Sequence, residues 1–332
     1  MRISRGKEVL TAVLCAAAPA TVMAGDGDVN QIYPDRPVTL VVGYSPGGTT
    51  DTLVRLVAEY LEKELGQRMI VDYKPGAAGN IGAQSVARAA PDGYTLFLSA
   101  RPNTIHKQMH ATLAYDFAND LVPVGLVATA PYVMVVGADA PIATVNDLVQ
   151  LARAYPGALT CASSGVGSTP HLLCEMLQLE ADIAMLHVPY KGAAHALTDV
   201  AGGRVDMQIT NVSAALAQIQ AGKLKPLAVL SSNPVNTLPH VPTIAEAGFP
   251  RLVTDAWFGL VAPAGTPAFA IEKLNQSINV AMMNPRLREA MDQLSYALPP
   301  QSNTPTVFKD LIAEETRQWT SVLNTRNIRP LH

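Results

Sequence analysis

Aromatic residues, charge and cysteine are all scarce in this chain. Aromatics are 5% of its 332 residues, too few for the stacking platforms that hold single-stranded nucleic acid. The formal net charge is −3, so there is no basic field for a phosphate backbone, and no nucleic-acid partner is expected. Charged residues make up only 15% against 48% hydrophobic, which excludes a disordered chain and leaves material for one large core or two ordinary ones. The seven histidines and three cysteines form no His-Glu-x-x-His or Cys-x-x-Cys spacing, so neither a metal nor a cofactor is expected. His106 and His110 stand four apart with no carboxylate at the neighbouring positions. No run after the first 24 residues is long and apolar enough to span a bilayer.

The N-terminus reads as an export signal over residues 1–24. Arg2, Arg5 and Lys7 precede a short apolar run, and Val22-Met23-Ala24 offers a small-x-small cleavage site. The run is too short for an anchoring helix. The residues ahead of Cys15 lack the small residue of a lipoprotein signal. The mature chain is expected to be soluble, periplasmic and more acidic than the whole. Export permits a disulfide between the remaining Cys161 and Cys174. A bond and two buried thiols are both compatible with the sequence, because the strand–helix crossing decides their separation.

Short apolar runs alternate with helical patterns. Runs at 38–42, 70–73 and 95–99 are apolar on both faces, as in strands covered on both sides. A second series begins near 132–136 and continues with strands at 159–162, 185–188, 205–210 and 227–230, separated by helices. Thr144-Val145-Asn146-Asp147 is a capping-box pattern. The last part starts with a strand at 257–262 and then holds three helices, at Thr266-Pro267, Asn284-Pro285 and Thr304-Pro305. Helices without strands of their own must dock on an existing sheet. The fold class is therefore α/β, with open, mostly parallel sheets in two lobes. Lobe 1 is 33–130 plus 255–332, lobe 2 is 131–254, and the chain crosses the hinge twice.

Two strand ends run into Gly/Ser/Thr-rich turns that open helices. The first is Gly43-Tyr44-Ser45-Pro46-Gly47-Gly48-Thr49-Thr50-Asp51 and the second is Ser163-Ser164-Gly165-Val166-Gly167-Ser168-Thr169-Pro170-His171. Each leaves backbone N–H groups and hydroxyls at the positive end of a helix dipole, which suits a carboxylate. Ligands in open α/β sheets bind outside the carboxyl ends of strands, where both turns lie. No lysine stands near the first turn, and Asp51 would repel a bound anion unless it ties down backbone N–H groups or water. A serine hydrolase built on Ser164 and His171 is conceivable, but no glycine stands two residues before Ser164 to form a nucleophile elbow. Tyr190 and Lys191 follow a strand and face the same end of the sheet. Asp206 sits among apolar residues and needs a partner. Phe258 either covers ligand carbons or packs the hinge. Arg101, just past a strand end, either reaches the cleft mouth and selects a second carboxylate or faces solvent.

Together the segments Tyr33-Pro34-Asp35-Arg36-Pro37, Pro46–Asp51, Lys74-Pro75-Gly76-Ala77-Ala78-Gly79-Asn80-Ile81-Gly82, Pro91-Asp92-Gly93-Tyr94, Ser163–Ser168, His187-Val188-Pro189-Tyr190-Lys191-Gly192, His240-Val241-Pro242-Thr243 and Trp257-Phe258-Gly259 resemble the extracytoplasmic solute receptors of tripartite tricarboxylate transporters, the Bug family. The resemblance implies a type 2 periplasmic binding-protein fold and a monomer that is not an enzyme. It would close on a small carboxylate and deliver it to inner-membrane permease subunits; a sensory receptor is the alternative. Carried over by position, it nominates Tyr44–Asp51, Asn80, Ser163–Ser168 and His171, and more weakly Tyr190, Lys191, Asp206 and Phe258. Cys161 departs from the aromatic usual there, and the segment from Arg101 is atypical.

Overall fold

A computed structural model describes residues 33–109, 114–299 and 302–325. The expected export signal, Cys15 and His110 lie outside them. In chain order the elements are β1 (Val38–Val42), α1 (Thr49–Leu65), β2 (Met69–Tyr73), α2 (Asn80–Ala87), β3 (Thr95–Ala100) and three short helices, α3 (Arg101–Thr104), α4 (His106–Met109) and α5 (Phe117–Asp120). Then follow β4 (Leu121–Gly137), α6 (Val145–Ala154), β5 (Thr160–Ser163), α7 (Thr169–Ala181), β6 (Leu186–Pro189), α8 (Ala193–Ala201), β7 (Met207–Asn211), α9 (Val212–Gln220) and β8 (Leu224–Val229). The last elements are β9 (Asp255–Pro263), α10 (Ala268–Met283), α11 (Pro285–Gln293) and α12 (Pro305–Thr325).

Local sequence sets the helix ends. Gly66 ends α1 in the left-handed region at φ 67°, a conformation that costs glycine little. Thr144 and Asp147 form the reciprocal box that opens α6, at 3.1 and 2.9 Å. Asn284 caps α11 ahead of Pro285. Pro267 sits at the cap of α10 rather than inside it.

The strands join in the order β2-β1-β3-β9-β4-β7-β5-β6, with β8 also paired to β4. The flanks are parallel: β1 with β2 and β3, and β5 with β6 and β7. The centre is antiparallel, because β4 and β9 are long strands that return through the sheet beside each other. From Leu121 to Pro131 β4 pairs with β9, and from Tyr132 it pairs with β7 and β8. One continuous strand thus belongs to two half-sheets, giving the two-lobe α/β fold.

Side-chain alternation explains why helices cover both faces. In the first half-sheet Leu40, Val42, Leu96 and Leu98 pack with Leu53, Val57, Leu274 and Ile278 of α1 and α10. Val41, Phe97 and Val261, one residue out of phase, pack with Val86 of α2 and Phe308 and Ile312 of α12. In the second, Met134, Cys161 and Ile209 meet Leu148 and Leu173 of α6 and α7, while Val133, Val135 and Ala162 meet Leu197 and Leu216 of α8 and α9. Cys161 of β5 and Cys174 of α7 are joined by a disulfide across this core, with Cα atoms 6.5 Å apart.

Candidate carboxylate cleft

Strand β1 ends at Val42 and the chain turns into α1 through Gly43. A Cβ on Gly43 would lie 2.4 Å from the Gly79 Cα, so only glycine lets the loop ahead of α2 pack against the strand end. Gly47 follows at φ 89°. The N–H groups of Gly48, Thr49 and Thr50 have no partner among the described residues, as expected for the first turn of a helix. The same holds for the Thr49 and Thr50 hydroxyls, although both residues are buried. The Asp51 carboxylate is turned back from this row. It accepts from the Gly47 N–H at 2.8 Å, from Arg55 at 2.6 Å and from the Tyr73 hydroxyl. Burial alone would raise its pKa, but the bonds to Tyr73, Gly47 and Arg55 prevail and lower it. Asp51 is therefore an ionised brace that leaves the row of donors uncovered.

The turn from β5 into α7 is braced from within. Ser163 accepts from the Gly165 N–H and bonds His187 at 2.6 Å. His171 Nδ1 accepts from the Gly167 N–H, and the Ser168 hydroxyl caps the His171 N–H. The His171 and His187 rings stack at 4.0 Å. Burial lowers the His187 pKa to about 4, so this ring is neutral and adds no charge behind the turn. Gly165 has φ 131°, and a Cβ there would sit 3.3 Å from the Tyr190 carbonyl oxygen. With so many of its groups used internally, this turn offers Ser164 and Thr169 outward.

These two turns border one cavity of about 50 Å³. Tyr44, Ser45, Gly48, Thr49 and Thr50 line it from the first, and Ser164, Thr169 and Pro170 from the second. Thr210 and Asn211 at the end of β7 complete its wall, with Tyr132 on β4 and Trp257 and Phe258 on β9. The floor is thus the central strand pair, where β4 changes partners. Across the opening the Ser45 N–H donates to the Lys191 carbonyl oxygen at 3.2 Å, so the two half-sheets already touch above the cavity. A wider recess of about 380 Å³ lies beside it, lined by Tyr44, Gly76–Gly79, Ser164–Val166 and Pro189–Lys191.

Not every nominated residue reaches the cavity. Asn80 is fully buried behind it and accepts from Asn103 at 3.1 Å and Tyr115 at 2.5 Å. Pro46, Gly47, Asp51, Ser163, Gly167, Ser168 and His171 shape the turns rather than line the space between them. Tyr190 and Lys191 border the outer recess. The Tyr190 hydroxyl donates to Asp199 at 2.7 Å, and partial burial together with that bond raises its pKa to about 12. Asp206 stands away from the cleft: it precedes β7 and accepts from the Thr160 N–H and hydroxyl at 2.7 and 2.6 Å. That is the opposite end of the strands, and the partner its burial requires is Thr160. Arg101 does line the cavity, but it is 3% exposed rather than solvent-facing. Thr169, part of the second hydroxyl-bearing turn, lines the cavity, whereas Tyr132, Thr210 and Asn211 were missed and carried no local signal.

The serine whose hydroxyl meets a histidine ring beside this turn is Ser163, bonded to His187, and it is fully buried. Gly43-Tyr44-Ser45-Pro46-Gly47 does read Gly-x-Ser-x-Gly between a strand and a helix. Ser45 has no hydrogen-bonded histidine among the described residues, so the elbow lacks the base that would activate it.

The fold as a whole is similar to that of known proteins. Residues 53–328 match the family described as "Tripartite tricarboxylate transporter family receptor". The chain belongs to this family. Protein BugT of Bordetella pertussis (strain Tohama I) is 35% identical over 97% of this chain and 98% of its own length. A protein from the tcbD-tcbE intergenic region of Pseudomonas sp. (strain P51) is 36% identical over 96% of this chain and 93% of its own. Among solved structures, R. palustris Rpa4515 with adipate has a TM-score of 0.86 and 35% identity, covering 90% of this chain and 100% of that one. MatC from Rhodopseudomonas palustris with bound malate has a TM-score of 0.84 and 31% identity, covering 88% and 100%. The chain is thus a solute-binding receptor of the periplasmic binding-protein type. No helix among the described residues is long and apolar enough to cross a membrane.

Proposed function

We propose that this receptor captures a small carboxylate in the cavity between the β1–α1 and β5–α7 turns and hands it to the membrane subunits of a tripartite transporter. The carrying observation is the row of donors without a partner among the described residues, the N–H groups of Gly48, Thr49 and Thr50 with the hydroxyls of the two threonines. They face Ser164 and the start of α7 across one cavity. A carboxylate there accepts several charge-assisted bonds from the neutral donors of the two turns. The adipate and malate named with two related structures are consistent with this chemistry.

The lobes are 33–130 with 255–332, and 131–254, hinged where β4 exchanges partners. Each supplies one turn, so ligand stabilises the closed arrangement only by touching both. Residues 1–24 serve as the export signal, and the receptor works as a monomer without catalysing a reaction. A thermal-shift panel tests the reading. Ligand at about a thousand times its Kd adds about 4 kcal/mol of stability. For about 300 folded residues this raises Tm by about 6 °C. Stabilisation by phosphorylated compounds and by no mono-, di- or tricarboxylate would refute the proposal.

A further inference from the structure

Among the described residues, Arg101 is the one charged side chain lining the cavity. It is held by a built scaffold. Nε donates to Glu315 Oε2 at 2.5 Å, and Nη2 donates to Glu315 Oε1 at 3.4 Å and to the Asp255 carbonyl oxygen at 2.8 Å. The guanidinium carbon lies 4.6 Å from the Trp319 ring centre. Glu315 also accepts from the indole N–H of Trp257 at 3.0 Å, and Trp257 lines the same cavity. One carboxylate on α12 thus fixes two cavity-lining side chains. A guanidinium has five N–H donors in a rigid fork. Nε and Nη2 account for three, and Nη1, which is buried, has no partner among the described residues. A buried charged donor without a partner is costly. The Glu315 ion pair balances the charge of the arginine, but it does not satisfy Nη1.

The geometry points to Arg101 as a specificity residue: Nη1 receives a second carboxylate of the ligand, so the receptor selects dicarboxylates over monocarboxylates of equal chain length. This rests on the proposed carboxylate function and adds to it the class of acid. The two turns hold the first carboxylate with neutral donors. Arg101 sits at the end of β3, apart from both turns in sequence, and supplies the charged end.

Calorimetric titration of the mature chain with isosteric pairs, adipate against hexanoate and succinate against butyrate, tests the assignment. The wild type is expected to prefer the diacid of at least one pair by about 10- to 100-fold, the range for a charge-assisted bond. Arg101→Gln alone strands Glu315, so the double variant Arg101→Gln/Glu315→Gln, which keeps a neutral hydrogen-bonding pair, accompanies it. Either variant should bring the diacid-to-monoacid ratio to within about threefold of unity while monoacid affinity stays within about threefold of wild type. A purely structural arginine would weaken both acids together and leave the ratio unchanged, which overturns the inference. Equal wild-type affinity for both members of every pair overturns it as well. A wild type that binds no acid at all removes the proposed function and this inference with it.

Discussion

Thr49 and Thr50 give the most exacting test of how the β1–α1 turn works, because affinity and stability should move in opposite senses. Their side chains are 7% and 6% exposed, and neither hydroxyl has a partner among the described residues. Replacing either threonine by valine keeps the shape and removes the hydroxyl. In the empty protein the change removes a polar group with no bond to lose, so the free energy of unfolding should stay level or rise by up to about 1 kcal/mol. With a melting entropy of about 0.6 kcal/mol/K for 300 residues, Tm moves by about 0 to +2 °C. In the complex the same change deletes a hydrogen bond to a charged group, worth about 1.5–3 kcal/mol. Kd for the tightest carboxylate of the thermal-shift panel should therefore rise about 10- to 150-fold. Differential scanning calorimetry of the empty variants and titration calorimetry with that acid read the two effects separately. Affinity within twofold of wild type for both variants would refute the donor role. A drop in the empty protein's Tm by more than about 3 °C would show that the hydroxyls hold the fold instead.

Three further outcomes follow from the supports around the cleft. Replacing Cys161 and Cys174 together by alanine opens a loop closed over a sequence separation of 13; calorimetry should find a loss of about 3 kcal/mol, or about 5 °C. Asn80→Ala strands the buried Asn103 amide and Tyr115 hydroxyl, costing about 2–4 kcal/mol by denaturant titration; a cost under about 1 kcal/mol would contradict the network. Asp51 has a lowered pKa in the folded state, so its contribution is present above the ordinary carboxylate pKa and fades as pH falls through the lower folded value. The stability gap between wild type and Asp51→Asn should thus be widest near neutral pH and close below about pH 4. A gap that is constant with pH would mean that the charge of Asp51 contributes nothing.

Much of this arrangement was legible in the sequence because it is local. The two turns announce themselves through glycine, threonine and serine after apolar strands, and backbone geometry does the rest. Long-range features were less visible. No strand was expected over the stretch 121–131, which contains Pro123, Gly125 and Pro131. In the structure it is a bulged half of β4 held by β9, a partner more than a hundred residues away. The parallel periodicity of the flanking strands concealed the antiparallel centre for the same reason. The apolar neighbours of Asp206 called for a partner, which is Thr160 at the far end of the strand; its place among the ligand residues came from the resemblance alone. Arg101 could be aimed at the cleft from its place after β3, but no sequence spacing reveals the Glu315 scaffold that holds it. The disulfide likewise depends on how α7 crosses β5.

The central claim is that one carboxylate engages both turns at once. Amide NMR of the labelled mature chain, titrated with the tightest acid of the panel, tests it directly. The account predicts that the amide signals of Gly48, Thr49 and Thr50 and those of Ser164 and Thr169 shift together, along one saturation curve with one Kd. Shifts confined to one turn, or two turns saturating at different concentrations, would contradict it.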